Sequence, residues 1–100
     1  MSEKLNKLFE ENIKNNIKSG NYDNCIGLLK SKIIELFSIK IRKEKKDFKY
    51  TSLEDMLDVS KGTLSEDELY ELYQYYSILR SSSPDEFKLY NLLEIYKKIK

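Results

Sequence analysis

The chain contains no histidine, one cysteine and two arginines. Histidine is the side chain that usually moves protons near neutral pH. Its absence excludes Ser/His and Cys/His nucleophilic pairs, histidine-held metals and a histidine general base. Two carboxylate clusters stand out among the acids: Glu54, Asp55 and Asp58, then Glu66, Asp67 and Glu68. Glu54 and Asp58 stand one helical turn apart, a spacing at which two carboxylates can meet a divalent cation. No calcium-loop spacing accompanies them, and no Glu-x-x-His pair is available for a metal inside a bundle. Acids at helix starts are explained by the helix dipole and by capping, so neither a metal nor a cofactor is expected. Cys25 lies on an apolar stripe with nothing nearby to lower its pKa, and reads as a small core residue. Gly20, Gly27 and Gly62 are isolated, so there is no phosphate-cradling loop.

Two surface chemistries remain. Lys40, Arg42, Lys43, Lys45, Lys46 and Lys49 form a basic block, interrupted by Glu44 and Asp47 and carrying Phe48 and Tyr50. Cations with interleaved aromatics are a nucleic-acid signature. Tyr70, Tyr73, Tyr75 and Tyr76 are the second feature, a row on which bases could stack. Their neighbours Glu66, Asp67, Glu68 and Glu71 would repel phosphate, so packing is the better reading of the tyrosines. Seven acids between Glu54 and Glu71, against Lys61 alone, come directly after the basic block. Such asymmetry can steer a partner or a second copy of the chain, although charge runs are commonly solvated helix faces.

Helices must position all of these residues. No window alternates polar and apolar residues for long, whereas the 3.6-residue period recurs. A first helix over about 2–18 carries Leu5, Leu8, Phe9, Ile13 and Ile17. Gly20 suits a left-handed helix end, and Asn21 can cap the second helix. Tyr22, Cys25, Ile26, Leu29, Ile33, Leu36 and Phe37 line that second helix, which the basic block closes. Leu28, Ile34, Ile39 and Ile41 lie off that stripe, so this helix is central or touches a partner. Thr51-Ser52-Leu53-Glu54 opens a short helix over 52–61, with Leu53, Met56 and Leu57 inward and Gly62 at its end. Ser65 and Glu68 form a capping box for a fourth helix running to about Arg80, with Leu64 and Leu69 at the staple positions. Its predicted core stripe is Leu69, Leu72, Tyr73, Tyr76 and Leu79. Tyr75 and Ile78 are expected on the other side and Tyr70 at a flank. Ser83-Pro84-Asp85-Glu86 starts a fifth helix, with Ser83 as cap, and Leu89, Leu92, Leu93, Tyr96 and Ile99 give its stripe.

Length and composition fit this layout. One hundred residues, 40% hydrophobic and 35% charged, make one globular domain over 1–100. Sixteen lysines, ten isoleucines, eight tyrosines and seven asparagines have AT-rich codons in common, which weakens the lysine content as a functional signal. Met1-Ser2-Glu3-Lys4 lacks a signal-peptide core, the lone cysteine suits a reducing compartment, and no span reaches membrane length. A cytoplasmic location away from membranes is expected. The fold class is all-α: a compact four-helix bundle with an additional short helix.

The order of these segments resembles that of HEPN domains. Gly20-Asn21-Tyr22-Asp23 leads into a long amphipathic helix containing Glu35, like the first unit of that family. Thr51-Ser52-Leu53-Glu54-Asp55-Met56-Leu57 resembles its His-Ser-Leu…Leu-Leu turn, with Thr51 where histidine often stands. Tyr76-Ser77-Ile78-Leu79-Arg80, a Ser/Pro turn and a last helix resemble the region of its Arg-x(4–6)-His motif. The similarity covers about residues 5–99 and implies a bundle that often dimerises. Many HEPN domains are metal-independent ribonucleases with a composite Arg and His site from two subunits, in toxin–antitoxin, CRISPR and phage-defence systems. Others only bind. Arg80 matches the arginine position. The histidine would fall at Asp85, Glu86 or Phe87, so the resemblance implies a degenerate member without nuclease activity.

The function expected from the sequence is therefore protein binding without catalysis, as an inhibitor, antitoxin or accessory in a phage-defence or toxin system. A homodimer is expected, with Leu28, Ile39, Tyr75 and Ile78 supplying an interface to it or to another protein partner. Two alternatives stand beside this. One is an RNA- or DNA-binding accessory using the basic 40–49 stretch. The other is a helical bundle resembling bacteriocin-immunity proteins. An enzyme using Arg80 with Asp85 or Glu86 is the most distant reading.

Overall fold

The computed structural model describes residues 3–80 and 85–100. These form α1 (Glu3–Lys18), α2 (Tyr22–Arg42), α3 (Leu53–Ser60), α4 (Glu66–Arg80) and α5 (Glu86–Ile99), and no described residue lies in a strand. Gly20 ends α1 at φ 78°. Its N–H donates to the Ile17 carbonyl and that of Asn21 to the Asn16 carbonyl, at 3.1 and 2.9 Å. This pair of bonds satisfies the last carbonyls of the helix, and the left-handed residue between them favours glycine.

Side chains start the later helices, with some shifts from the expected positions. Asn21 does occupy the cap of α2, but its side chain makes no cap bond. Its amide instead donates back to Asn16 Oδ1 at 3.4 Å. On α3 the cap is Ser52, whose hydroxyl accepts the Asp55 N–H at 3.2 Å, while Thr51 donates to the Asp55 carboxylate at 2.8 Å. Asp85 caps α5 by accepting the Lys88 N–H at 2.8 Å. The expected start at Ser83 and Pro84 lies outside the described residues.

The capping box of α4 forms as the sequence indicates. Ser65 Oγ accepts the Glu68 N–H at 3.2 Å, and Glu68 Oε1 accepts the Ser65 N–H at 3.1 Å. That N–H, opposed by partial burial and aided by Lys40, holds the Glu68 carboxyl below its ordinary range. The contribution is present above the ordinary glutamate pKa and fades as pH falls through the lowered one. Ser65→Ala should cost about 1 kcal/mol, read as a lower urea midpoint with unchanged slope.

Helix α2 packs against α1 and α5, α5 also against α4 and α1, and α3 rests on α4. Ile13, Ile17, Cys25, Leu29, Ile33, Phe37, Met56, Leu72 and the α5 stripe make one continuous core. The radius of gyration is 13.6 Å, close to the value of about 13 Å for a folded 100-residue domain. No described helix is long and apolar enough to cross a membrane.

Three expectations about facing are corrected. Leu5 and Leu8 are 56% and 55% exposed, because α1 turns Ile13 and Ile17 inward. Five residues separate Leu8 from Ile13, about 140° around the axis. Ile41, placed off the main stripe of α2, is fully buried. Helix α4 reaches the last turns of α2: Phe37 and Tyr75 have centroids 6.4 Å apart, and Lys40 meets Glu68 at 3.2 Å. Tyr75 is likewise buried, not projected outward. The row facing inward on α4 runs Leu72, Tyr75, Leu79, so Tyr73 turns to water and Tyr76 is half-buried.

Candidate protein-binding face

The outer side of α2 carries two large apolar side chains in water. Leu28 is 36% exposed and Ile39 46%. Between them lie Lys32 and Glu35, paired at 3.8 Å within the helix. These four positions are spaced by four, three and four residues, which keeps them within about 60° of one another around the axis. The inward residues Leu29, Ile33 and Phe37 anchor α2 to the core and leave this stripe facing out. Beside Ile39 a groove of ≈ 280 Å³ opens between α1, α2 and α5, lined by Leu36, Tyr96, Asn6 and Lys100 as well. Its floor is fixed by Tyr96, whose hydroxyl donates to Asn6 at 3.1 Å and whose ring packs 4.9 Å from that of Phe9.

The other two residues expected at an interface are elsewhere. Tyr75 is in the core and is not accessible to a partner. Ile78 is half-buried against the core, at the edge of a separate groove of ≈ 250 Å³ between α4 and α5. Tyr70, Glu71 and Glu94 also line that groove. The sequence did not signal it, since it depends on how α4 and α5 pair. Nor did the sequence signal Phe87, which is 80% exposed in the first turn of α5.

Arg80 sits at the end of α4, over the ring of Tyr76 at 5.3 Å from its centroid. It donates to the Tyr76 hydroxyl at 2.7 Å, and that hydroxyl lies 3.5 Å from Glu54. The guanidinium is thus engaged by an aromatic face and a phenol oxygen. Of the three positions where a proton-transferring residue would stand, Asp85 is the α5 cap, Glu86 is exposed in the first turn of α5 and Phe87 is apolar. Cys25 is buried beside the Ile13 carbonyl at 3.5 Å, and burial pushes its thiol pKa up, which suppresses the nucleophilic thiolate.

The basic block divides. Lys40 pairs with Glu68, and Arg42 Nε donates to the Phe48 carbonyl at 3.0 Å, folding the segment after α2 back on itself. Lys43, Lys45, Lys46 and Lys49 are exposed and make no ion pair with another described residue. Among the described residues no group of three or more metal-ligating side chains converges. Glu54 meets Tyr76, Asp55 meets Thr51 and Asp58 pairs with Lys61, so the short helix uses its acids locally.

No family model matches the chain, and neither a curated protein nor a solved structure is significantly similar to it.

Proposed function

We propose that this chain is a non-catalytic helical binding module that works in the cytoplasm through protein–protein contact, with the outer face of α2 as its docking surface. The observation that carries this reading is the pair Leu28 and Ile39, large apolar side chains held in water on one stripe of the longest described helix, with Ile39 at a groove that Leu36 and Tyr96 also line. Apolar side chains exposed along one stripe are favoured by removal from water, and a partner is what removes them. The order of helices is compatible with a degenerate HEPN-like domain. By that analogy the role is that of an inhibitor, antitoxin or accessory in a phage-defence or toxin system.

A ribonuclease reading is disfavoured by the chemistry at Arg80. Cleavage needs a base for the 2′-hydroxyl, and the chain has no histidine to act near neutral pH. Asp85 is occupied as a helix cap. Nucleic-acid binding without cleavage is the second reading, supported by the four exposed lysines at 43, 45, 46 and 49.

The test is capture with the tagged chain from its source cells, in parallel with Leu28→Asp and Ile39→Asp. Both variants change solvent-facing positions and should keep the wild-type circular-dichroism spectrum. A specific protein partner lost from both is expected, while purified wild type leaves single-stranded RNA intact with or without divalent metal. A partner retained equally by both variants would move the binding surface off α2. RNA cleavage that disappears in Arg80→Ala would replace the binding reading with an enzymatic one.

A further inference from the structure

The stripe on α2 is a palindrome in chemical type. Reading from either end gives a branched apolar residue, a charged residue four positions on, its opposite charge, and a second branched apolar residue: Leu28, Lys32, Glu35, Ile39. The midpoint falls between residues 33 and 34. Two copies of α2 laid antiparallel across a twofold axis at that midpoint place Leu28 against the partner's Ile39 and Lys32 against the partner's Glu35. Each pairing occurs twice, as an isologous interface requires. The spacings of four, three and four residues match the seam positions of a coiled coil, with an ion pair at the two central positions where such seams are ordinarily apolar.

From this juxtaposition we infer that the occupant of the α2 face is a second copy of this chain, joined by antiparallel α2 helices in the register that pairs Lys32 with the partner's Glu35. This inference rests on the docking surface proposed above and names what fills it. Charge complementarity selects the register and the direction. A parallel arrangement with equal residues opposed would place Lys32 on Lys32 and Glu35 on Glu35, where like charges are destabilising. The antiparallel one turns two intrahelical pairs into a closed ring of four alternating charges. Its ends are sealed by apolar contacts, and the partner's Leu28 lies next to the groove that Leu36, Ile39 and Tyr96 line. Glu35 has 52% of its side chain exposed and Lys32 20%, so both are reachable without unpacking the helix. Eleven residue steps make a seam about 16 Å long. A contact of that length belongs to the small end of stable interfaces, so the dimer should dissociate on dilution.

The test is charge reversal read by light scattering and sedimentation over a concentration series of the purified chain. Wild type should pass from monomer to dimer as concentration rises. Lys32→Glu sets a carboxylate against the partner's Glu35 twice, and Glu35→Lys opposes two lysines in the same way. Each should weaken association about tenfold or more. An equimolar mixture of the two variants should restore it, because every crossed pair is then opposite in sign. The double variant Lys32→Glu/Glu35→Lys should restore it alone. Thermal melts of dilute, monomeric samples control for folding, where losing one exposed intrahelical pair has only a small effect.

A dimer unaffected by either reversal would overturn this register while leaving α2 open to a different partner. A wild type that stays monomeric at every concentration would overturn the second-copy occupant. In that event the binding-module reading stands or falls separately, on whether Leu28→Asp loses a captured protein. Weakening by both single reversals without rescue in the mixture would also overturn the pairing.

Discussion

Replacing Tyr75 by alanine is expected to destabilise the fold by about 4 kcal/mol, a large share of the stability of a domain this size. The ring is fully buried where α4 meets α2, 6.4 Å from the ring of Phe37, and no smaller neighbour can fill its volume without moving a helix. Its hydroxyl behaves differently. That oxygen is buried and has no hydrogen-bond partner among the described residues. A buried polar group without a partner opposes folding by about 1–3 kcal/mol, so removing it while keeping the ring should not hurt. Tyr75→Phe is therefore expected to match wild type or exceed it by about 1 kcal/mol. Urea denaturation of the two variants beside wild type checks both at once. A Tyr75→Phe protein as unstable as Tyr75→Ala would mean that the hydroxyl is held by a strong bond and that the packing account of this position is wrong.

Tyr75 also marks where the sequence stopped being legible. The helices, the Gly20 terminus and the Ser65–Glu68 box were readable because each is decided by residues within one or two turns. Facing on α4 was not. Tyrosines at 70, 73, 75 and 76 cover most of its circumference, so the apolar period alone allows more than one inward row. The choice falls to α2, which offers Phe37 to Tyr75, and to the Lys40–Glu68 pair that fixes the rotation. Ile41, on the same last turns of α2, is buried as well. Leu5 and Leu8 failed for a related reason: apolar spacing named a stripe, but the α1 contacts run through Asn6, Phe9, Glu10 and Ile13. Tyr96 takes Asn6 and Phe9, and Lys100 takes Glu10 at 2.6 Å. Polar residues on the inner edge of α1 are invisible to a hydrophobic period. On α2 the signal held up to Phe37 and failed at Ile41: the inward row runs unbroken from Cys25 to Phe37 and leaves Leu28 and Ile39 outside. Arg80 meets Tyr76 for a local reason, the four-residue spacing along one helix.

Above about pH 10, stability should fall steeply. The pKa of Tyr75 is pushed up first by burial and then by nearby Tyr50, whose ionisation would add a like charge. Burial also raises Tyr96, with Lys100 opposing and Glu10 adding to the shift. In the unfolded chain both phenols ionise at the ordinary value of about 10. Over the interval above that value the unfolded state has released protons that the folded state still holds. Bound protons are then fewer in the unfolded state, so the free energy of unfolding declines as pH rises. Tyr75, the group raised furthest, contributes a slope approaching about 1.4 kcal/mol per pH unit in that interval, and Tyr96 adds in the same direction. Lys100, raised chiefly by its hydrogen bond to Glu10, acts in the same direction, because the contact is lost once the ammonium deprotonates. Below about pH 9 these groups are protonated in both states and contribute no slope. Urea midpoints taken across this range, with tyrosinate absorbance followed in the same samples, give the measurement. Tyrosinate from Tyr75 should appear only as the fold is lost, and Tyr75→Phe should make the decline shallower by about one proton. A flat profile between about pH 9 and pH 11 would place the Tyr75 hydroxyl in contact with water, and with it the face of α4 that carries it.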